Sequence, residues 1–183
     1  LLVGVVGTYC RRSANQAVAE ADLVFFVGSS AGGQVTHGWR LPSPDTPVIQ
    51  LNIDPAELGR NYLNTAALCG DVRNVINGLA GIMSSSAPAD RERWAARCAA
   101  LVSDWRKEID SRLRSDAVPI RPERICMDIS EALPEGGAVV SDTGHAGLWT
   151  GAYVALKRKG QRYLRAAGSL GWAFPAAIGA KCA

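Results

Sequence analysis

Short apolar runs that alternate with helical patterns are the feature that most constrains the fold of this 183-residue chain. Residues 23–28 form a continuous apolar run of the length expected for a strand that is buried on both faces. Residues 48–54 form a second run, which Pro55 stops, and residues 67–69 form a third. Because strands and helices in this rhythm build parallel sheets with right-handed crossovers, the sequence predicts an α/β fold.

The helices between these runs are predicted from apolar residues spaced by three or four positions. Ser13 and Asn15 are N-cap candidates for a first helix that carries Ala17, Val18 and Ala21. Pro55 can start a short helical turn. A further helix follows Asp71, with apolar side chains at Val72, Val75, Ile76, Leu79 and Ile82.

A serine-rich stretch and a long amphipathic helix divide the chain. Residues 84–89 have the composition of a linker, and Asp90 starts the helix. Its apolar face comprises Trp94, Cys98, Leu101, Trp105, Ile109 and Leu113. Acidic and basic residues mix on the other face, which indicates a solvated surface and not a nucleic-acid patch. We predict a domain at 1–83, a connector at 84–118 and a second domain at 119–183, each domain with its own sheet.

The second domain carries two small-residue segments that suit a ligand. Residues 124–133 read as a helix, and the apolar run 138–140 predicts a strand, which ends in Ser141-Asp142-Thr143-Gly144. In open α/β sheets, ligands dock at the carboxyl ends of strands. Residues 168–171, Gly-Ser-Leu-Gly, precede a helix opened by Pro175. Glycine there allows a ligand to approach the backbone closely, although a tight turn that packs helix on sheet is the alternative.

The order and spacing of these segments resemble one family. AAGSLGWAFPAAIGA, residues 166–180, resembles the glycine-rich start of the cofactor domain in thiamine-diphosphate enzymes of the acetohydroxyacid synthase and benzoylformate decarboxylase type. SDTGHAGLW, residues 141–149, resembles the segment that meets the cofactor's diphosphate. Residues 7–28, 48–62 and 68–72 resemble the family's Rossmann-like middle domain, without its first strand and helix. The chain is therefore expected to be an internal piece with part of each domain.

The resemblance implies six cofactor-binding residues. Thr143, Gly144 and His145 would lie near the diphosphate. The carbonyl of Gly168 would meet the pyrimidine amino group, Ser169 would keep the turn narrow, and Leu170 would be the apolar wedge between the two cofactor rings. His145 stands where acetohydroxyacid synthases have glutamine, and Ala146 where they have histidine. A loop histidine satisfied by backbone is therefore the alternative for His145.

The family's remaining machinery lies outside these residues. The magnesium segment follows the helix that ends the chain, and the activating glutamate belongs to an N-terminal domain. No catalytic residue or metal ligand is therefore assigned, and the 183 residues are expected to be inert. The parent is expected to be a transferase or lyase, a homodimer or homotetramer that uses thiamine diphosphate with Mg²⁺ to decarboxylate or join 2-oxo acids. The alternatives are a non-catalytic FAD- or ADP-binding module and a member whose site has decayed into a scaffold.

Nucleotide binding by the first half has weak support from its residues. The glycine loop at 28–33 follows a strand and could cradle a phosphate, but no GxGxxG or GxxxxGK[ST] motif is present. Asp54 could meet a ribose hydroxyl or could cap the next turn. Flavin-holding relatives carry an arginine and acids where this chain has Ser29-Ser30-Ala31-Gly32-Gly33. We expect the first half to bind FAD poorly.

Charge and cysteine content exclude other classes of protein. A net charge of +3 gives no argument for nucleic acid or a membrane surface, and no apolar run approaches the roughly 20 residues of a membrane span. The first residues read as a strand and not as a signal peptide. Five scattered cysteines without a CxxC pair, with only two histidines, do not form a zinc framework. Reduced thiols predict a cytoplasmic location.

Overall fold

The computed structural model describes residues 1–83, 89–166 and 168–183, and it confirms the predicted α/β class. The chain forms two compact units, one of residues 1–8 and 12–104 and the other of residues 9–11 and 105–183. The boundary after Asp104 falls inside a helix. Residues 84–88 of the predicted linker lie outside the described residues, and the predicted domain bounds stay a prediction. No helix in the described ranges combines the length and the apolar character that a membrane crossing requires.

The first unit is built on a parallel sheet. Its elements are α1 (Arg12–Glu20), β1 (Val24–Val27), β2 (Val48–Asn52), a 3₁₀ turn (Pro55–Glu57), β3 (Ala66–Cys69) and α2 (Val72–Ile82). The strands lie in the order β1-β2-β3, with Val24 opposite Val48 and Ile49 opposite Ala66. Central strand β2 is the most buried because it has a neighbour on each side.

Strand β1 is less buried than predicted. Its residues alternate between half-buried and exposed, with Phe25 38% and Val27 41% exposed. The prediction of a strand buried on both faces was wrong, because in the described sheet β1 is an edge strand. A continuous apolar run does not distinguish an edge strand from a central one.

Ser13 and Asn15 do not cap α1, which begins before them at Arg12. Ser13 Oγ donates to the Val3 carbonyl oxygen at 3.1 Å. Asn15 bonds the backbone of Gly7 twice, accepting from its N–H at 2.7 Å and donating to its carbonyl at 3.1 Å. The two side chains hold the backbone at Val3 and Gly7 instead of the helix end. The first residues were expected to form a strand, but residues 1–6 form none.

The long helix α3 (Ala89–Leu113) contributes to the core of each unit separately. In the first unit, Cys98 and Leu101 pack with Ala17 and the partly buried Val3. In the second unit, Trp105 is buried and its ring lies 6.1 Å from that of Tyr153, in a stacked arrangement. The predicted apolar face is confirmed at these positions, whereas Trp94 is exposed.

The second unit carries a two-stranded parallel sheet. After α3 come α4 (Pro122–Ala132), β4 (Ala138–Ser141), α5 (His145–Tyr153), β5 (Arg162–Arg165) and α6 (Ala173–Cys182). Ala138 pairs with Arg162, and Ser141 pairs with Arg165. Helices α5 and α6 both pack against β4. Because the strands are parallel, the segments that follow them start at the same edge of the sheet.

Candidate functional site

Asp142, directly after β4, connects the two segments predicted to bind a ligand. Its Oδ1 accepts hydrogen bonds from the backbone N–H of Thr143 at 2.7 Å and of Gly171 at 3.1 Å. Its Oδ2 accepts from the N–H of Ala173 at 3.3 Å. Ala173 is the first residue of α6, whose N-cap residue Trp172 provides no side-chain acceptor. Asp142 therefore supplies a cap to α6 from another part of the chain.

A second contact joins the same two segments. Thr143 Oγ1 donates to the carbonyl oxygen of Ala166 at 3.4 Å, a long hydrogen bond. Ala166 follows Arg165, the last residue of β5. The predicted residues Thr143, Gly144 and His145 follow β4, and the predicted residues 168–170 follow β5. The structure thus places the start of both segments at the same edge of the sheet. Their roles toward a cofactor stay predictions.

Three glycines of these segments adopt backbone angles that other residues rarely adopt. The φ angles are +85° for Gly144, +142° for Gly168 and +79° for Gly171. A Cβ added at any of the three would meet no atom within 4 Å. Leu170 lies between two of them and is 79% exposed. The turn therefore presents an apolar side chain beside open backbone, an arrangement that suits a flat, partly apolar ligand.

His145 is the first residue of α5, and its side chain is exposed. Among the described residues, no hydrogen bond to its ring is present. The alternative interpretation, a loop histidine whose ring bonds to the backbone, therefore has no supporting hydrogen bond among those residues. The N-cap residue Gly144 provides no side-chain acceptor to the first turn of α5. That turn can therefore donate to an anion.

Arg165 is a residue of this edge that sequence reasoning missed. Its guanidinium carbon lies 4.0 Å from the ring centroid of Tyr9, and its Nε is buried without a hydrogen-bond partner among the described residues. A Cβ at Gly147 would lie 2.8 Å from that Nε, so glycine makes room for the arginine. The available signal was an arginine that ends a short strand, immediately before the glycine-rich segment.

Three hydroxyl groups fix α5 to both strands of the second unit. Thr150 Oγ1 lies 2.8 Å from Ser141 Oγ and 2.8 Å from the Tyr163 hydroxyl. It also donates to the Ala146 carbonyl at 2.6 Å. These bonds hold the second turn of α5 against β4 and β5.

In the first unit, the residues considered for nucleotide binding make hydrogen bonds within the protein. Asp54 Oδ1 accepts from the Ala56 N–H at 2.9 Å and caps the 3₁₀ turn, which matches the turn-capping interpretation. In the glycine loop, the Ser29 carbonyl accepts from Gln50 at 3.1 Å and Asn52 at 3.4 Å. The Gly28 N–H donates to the Leu51 carbonyl at 2.8 Å and is therefore already used within the protein.

A cavity of about 610 Å³ in the first unit contains none of the predicted site residues. Its lining comprises Glu20, Asp22, Arg91, Arg93, Trp94 and Arg97. Arg97 and Glu20 form an ion pair with each other, which offsets two of the charges.

Metal and thiol chemistry have no assembled group in the described ranges. Across residues 1–83, 89–166 and 168–183, no three His, Cys, Asp or Glu side chains are grouped to hold a metal ion. All five cysteines are free. Burial raises the pKa of Cys126 to about 11 and also raises that of Cys98, so these two thiols stay protonated and unreactive near neutral pH.

Known proteins are similar to this chain in both of its units. Residues 1–79 match the family model for the central domain of thiamine pyrophosphate enzymes. The whole chain is 32% identical to a probable acetolactate synthase large subunit of Methanocaldococcus jannaschii, of which it covers 32%. Over 99% of its length it is 28% identical to an acetolactate synthase large subunit of Pyropia yezoensis, covering 30% of that protein. Over 99% of its length it is also 28% identical to the isozyme 2 large subunit of Escherichia coli, covering 31%. The chain thus spans about a third of the length of these curated relatives.

Proposed function

We propose that this protein is a thiamine-diphosphate-dependent enzyme that decarboxylates or joins 2-oxo acids, because residues 1–79 match the family model for the central domain of thiamine pyrophosphate enzymes. The observation that carries the proposal is the match of the entire chain to an acetolactate synthase large subunit. That match continues past the central domain and includes both segments that Asp142 connects. The resemblance and the geometry of the second unit therefore concern the same residues.

The residues at the sheet edge suit the cofactor chemically. A diphosphate needs hydrogen-bond donors, and the first turn of α5 offers them. The Thr143 hydroxyl before it would add another by giving up its long bond to the Ala166 carbonyl. Space beside the backbone is needed for the rings, and the three positive-φ glycines leave it open. The exposed Leu170 supplies an apolar surface at the same turn.

Each residue then has one task in the proposed mechanism. The Gly144 and His145 backbone holds the diphosphate, with the Thr143 hydroxyl and the His145 ring as further donors. The Gly168 carbonyl would accept a hydrogen bond from the pyrimidine amino group, and Leu170 would be the apolar wedge between the two rings. When bound, thiamine diphosphate supplies the carbanion and the electron sink for cleavage next to the substrate carbonyl. The protein residues supply position and electrostatics.

The remaining parts of the proposal follow from the family and from the thiols. The substrate is a small 2-oxo acid, the cofactor is held with Mg²⁺, and the active protein is a homodimer or homotetramer. The five free cysteines support a cytoplasmic location, since thiols stay reduced there. Nucleic acid and membranes are not part of the proposed activity.

The test measures cofactor binding and turnover by the complete protein in which this chain occurs. We expect calorimetry with thiamine diphosphate and Mg²⁺ to show binding, and pyruvate, used as the probe 2-oxo acid, to release CO₂ only when both are present. A single aldehyde product indicates a decarboxylase, whereas a product that joins two substrate molecules indicates a carboligase. A protein that binds no thiamine diphosphate contradicts the proposal.

A pair of glycine variants adds a structural control to this test. Gly171→Ala and Gly136→Ala place a Cβ at similar φ angles, +79° and +70°, and neither Cβ meets an atom within 4 Å. Gly136 precedes β4 and therefore lies away from the proposed site. We expect only Gly171→Ala to weaken cofactor binding, although both variants strain the backbone.

A further inference from the structure

We propose that Asp142 is a positioning residue that holds the turn at residues 168–171 in the conformation that receives the cofactor. The inference rests on the proposed function and adds a residue for which the resemblance gave no role. Asp142 is assigned to positioning and not to ligand contact, because its carboxylate would repel the diphosphate. It acts through the backbone of Gly171 and Ala173.

The hydrogen bonds of Asp142 come from two segments that are distant in sequence. One bond, from Thr143, is local, whereas Gly171 and Ala173 lie 29 and 31 residues further along the chain. Oδ1 accepts the bond from Gly171 in the turn, and Oδ2 accepts the bond from Ala173 at the start of α6. A carboxylate that accepts from N–H groups makes bonds about twice as strong as those between neutral groups.

The turn that Asp142 holds would otherwise have unusual freedom. It contains Gly168 and Gly171, and glycine loses more conformational entropy on ordering than any other residue. Its preceding strand, β5, is fixed by pairing with β4, and its following helix, α6, is fixed at the first N–H by Asp142. With both ends held, a ligand meets an ordered turn and the ordering cost is removed from the binding free energy.

The position of Leu170 gives this order a functional consequence. Leu170 directly precedes Gly171, so the Asp142–Gly171 bond restrains the backbone that carries the exposed leucine. A misplacement of about 1 Å at a reacting centre can lower a rate by about a hundredfold. Loss of Asp142 therefore affects both affinity and turnover, beyond any loss of stability.

The experiment compares two aspartates that both cap helices. In the complete protein, Asp142→Ala removes the cap of α6, and Asp71→Ala removes the cap of α2, where Asp71 Oδ1 accepts from the Asn74 N–H at 3.0 Å. Asp142→Asn serves as the conservative variant, because its Oδ1 can still accept from Gly171 while its NH₂ group cannot accept from Ala173. Calorimetry with thiamine diphosphate and Mg²⁺, hydrogen exchange of the Gly171 and Ala173 amides, and thermal melting are measured for each.

We expect Asp142→Ala to raise the Kd for thiamine diphosphate by at least about tenfold and to speed exchange at Gly171 and Ala173, since the ordering cost returns to binding. The Kd of Asp142→Asn should lie between those of Asp142→Ala and the wild type. Asp142→Asn also provides the test if Asp142→Ala does not fold. Asp71→Ala also loses a helix-capping hydrogen bond, but its Kd should stay within about twofold of the wild-type value.

Three results overturn the inference, and they are distinguishable. If the wild type binds thiamine diphosphate and Asp142→Ala or Asp142→Asn binds equally well, the positioning role is wrong while the proposed function stands. An equal loss of affinity in Asp71→Ala would likewise reduce Asp142 to a general stabilising residue. If the wild type itself binds no thiamine diphosphate, the proposed function and this inference fail together.

Discussion

Glu20 and Arg97, 77 residues apart in the chain, form a two-pronged ion pair in the first unit. Arg97 Nε donates to Glu20 Oε2 at 2.9 Å, and Arg97 Nη2 donates to Oε1 at 2.8 Å. Fork-to-fork geometry of this kind fixes orientation as well as distance. The pair ties the C-terminal end of α1 to α3 within that unit.

Acid should remove the contribution of this pair to stability. The hydrogen bond from Arg97, followed by that from Gln16, lowers the pKa of Glu20 from 4.5 to about 2. A carboxyl group whose pKa is lowered by folding stabilises the protein above its unfolded pKa and loses that effect as the pH falls through its folded pKa. We expect Glu20→Gln to lower the melting temperature above pH 4.5 and to match the wild type near pH 2. Glu135→Gln, at an exposed position, is the control, and a Glu20→Gln effect that does not vary with pH contradicts the prediction.

Ser130→Ala should destabilise the second unit. The Ser130 hydroxyl is buried, donates to the Cys126 carbonyl at 2.6 Å and accepts from the Ala155 N–H at 2.9 Å. Its removal leaves a backbone N–H without that acceptor, which costs about 1–3 kcal/mol. Denaturant unfolding measures the change, with Ser111→Ala on the exposed face of α3 as the control. Equal midpoints for the two variants would show that water replaces the hydroxyl.

Leu170→Ala separates a ligand-supporting leucine from a core leucine. A fully buried leucine costs about 2–5 kcal/mol when it is truncated, but Leu170 is 79% exposed in the described chain. We therefore expect little change in melting temperature and a fall in kcat of about ten- to a hundredfold from lost orientation. Leu63→Ala, at a leucine that is 94% exposed in the first unit, should leave both values unchanged. Normal turnover by Leu170→Ala would end its assignment as the wedge.

The first unit should not retain flavin on purification. The loop after β1 has no charged residue from Ser29 to Gly33, and Asp54 is engaged with the N–H of Ala56. Few donors and no arginine in that loop are left for the phosphates of FAD. The purified protein should therefore be colourless, and added FAD should bind poorly in fluorescence titration. A flavin absorption spectrum from the purified protein would refute this expectation.

Most elements of the fold could be predicted from sequence, because their apolar residues are periodic or continuous. Strands β2, β3 and β4 and helices α2, α3 and α4 all lie where those patterns indicate. Helix α5 and strand β5 were not predicted. The sequence of α5, HAGLWTGAY, is apolar or small on all sides and has no stripe, and β5 consists of Arg-Tyr-Leu-Arg. Helix α5 packs against β4, and β5 pairs with β4. Contacts of this kind are not visible in the local sequence pattern.

The two site segments could be located from sequence, but the residue that joins them could not. Small residues after a strand and glycines before a helix are local signals, and both appear in Ser141–Gly144 and residues 168–171. Asp142 looked like an ordinary strand-end residue, since its partners Gly171 and Ala173 lie about thirty positions away. The same limit applies to Arg165, whose neighbours Tyr9 and Gly147 are brought to it only by the tertiary fold.

The contact between Gly147 and Arg165 has a consequence for how this sequence can vary over time. A Cβ at position 147 would lie 2.8 Å from Arg165 Nε and 3.0 Å from its Cδ, as well as 2.8 Å from the carbonyl oxygen of Asp142. Moving or shortening the side chain at 165 relieves only the contacts with Nε and Cδ, because the Asp142 oxygen belongs to the backbone. A lineage that gains a side chain at 147 must therefore also displace the backbone at Asp142, and with it the segment that follows β4.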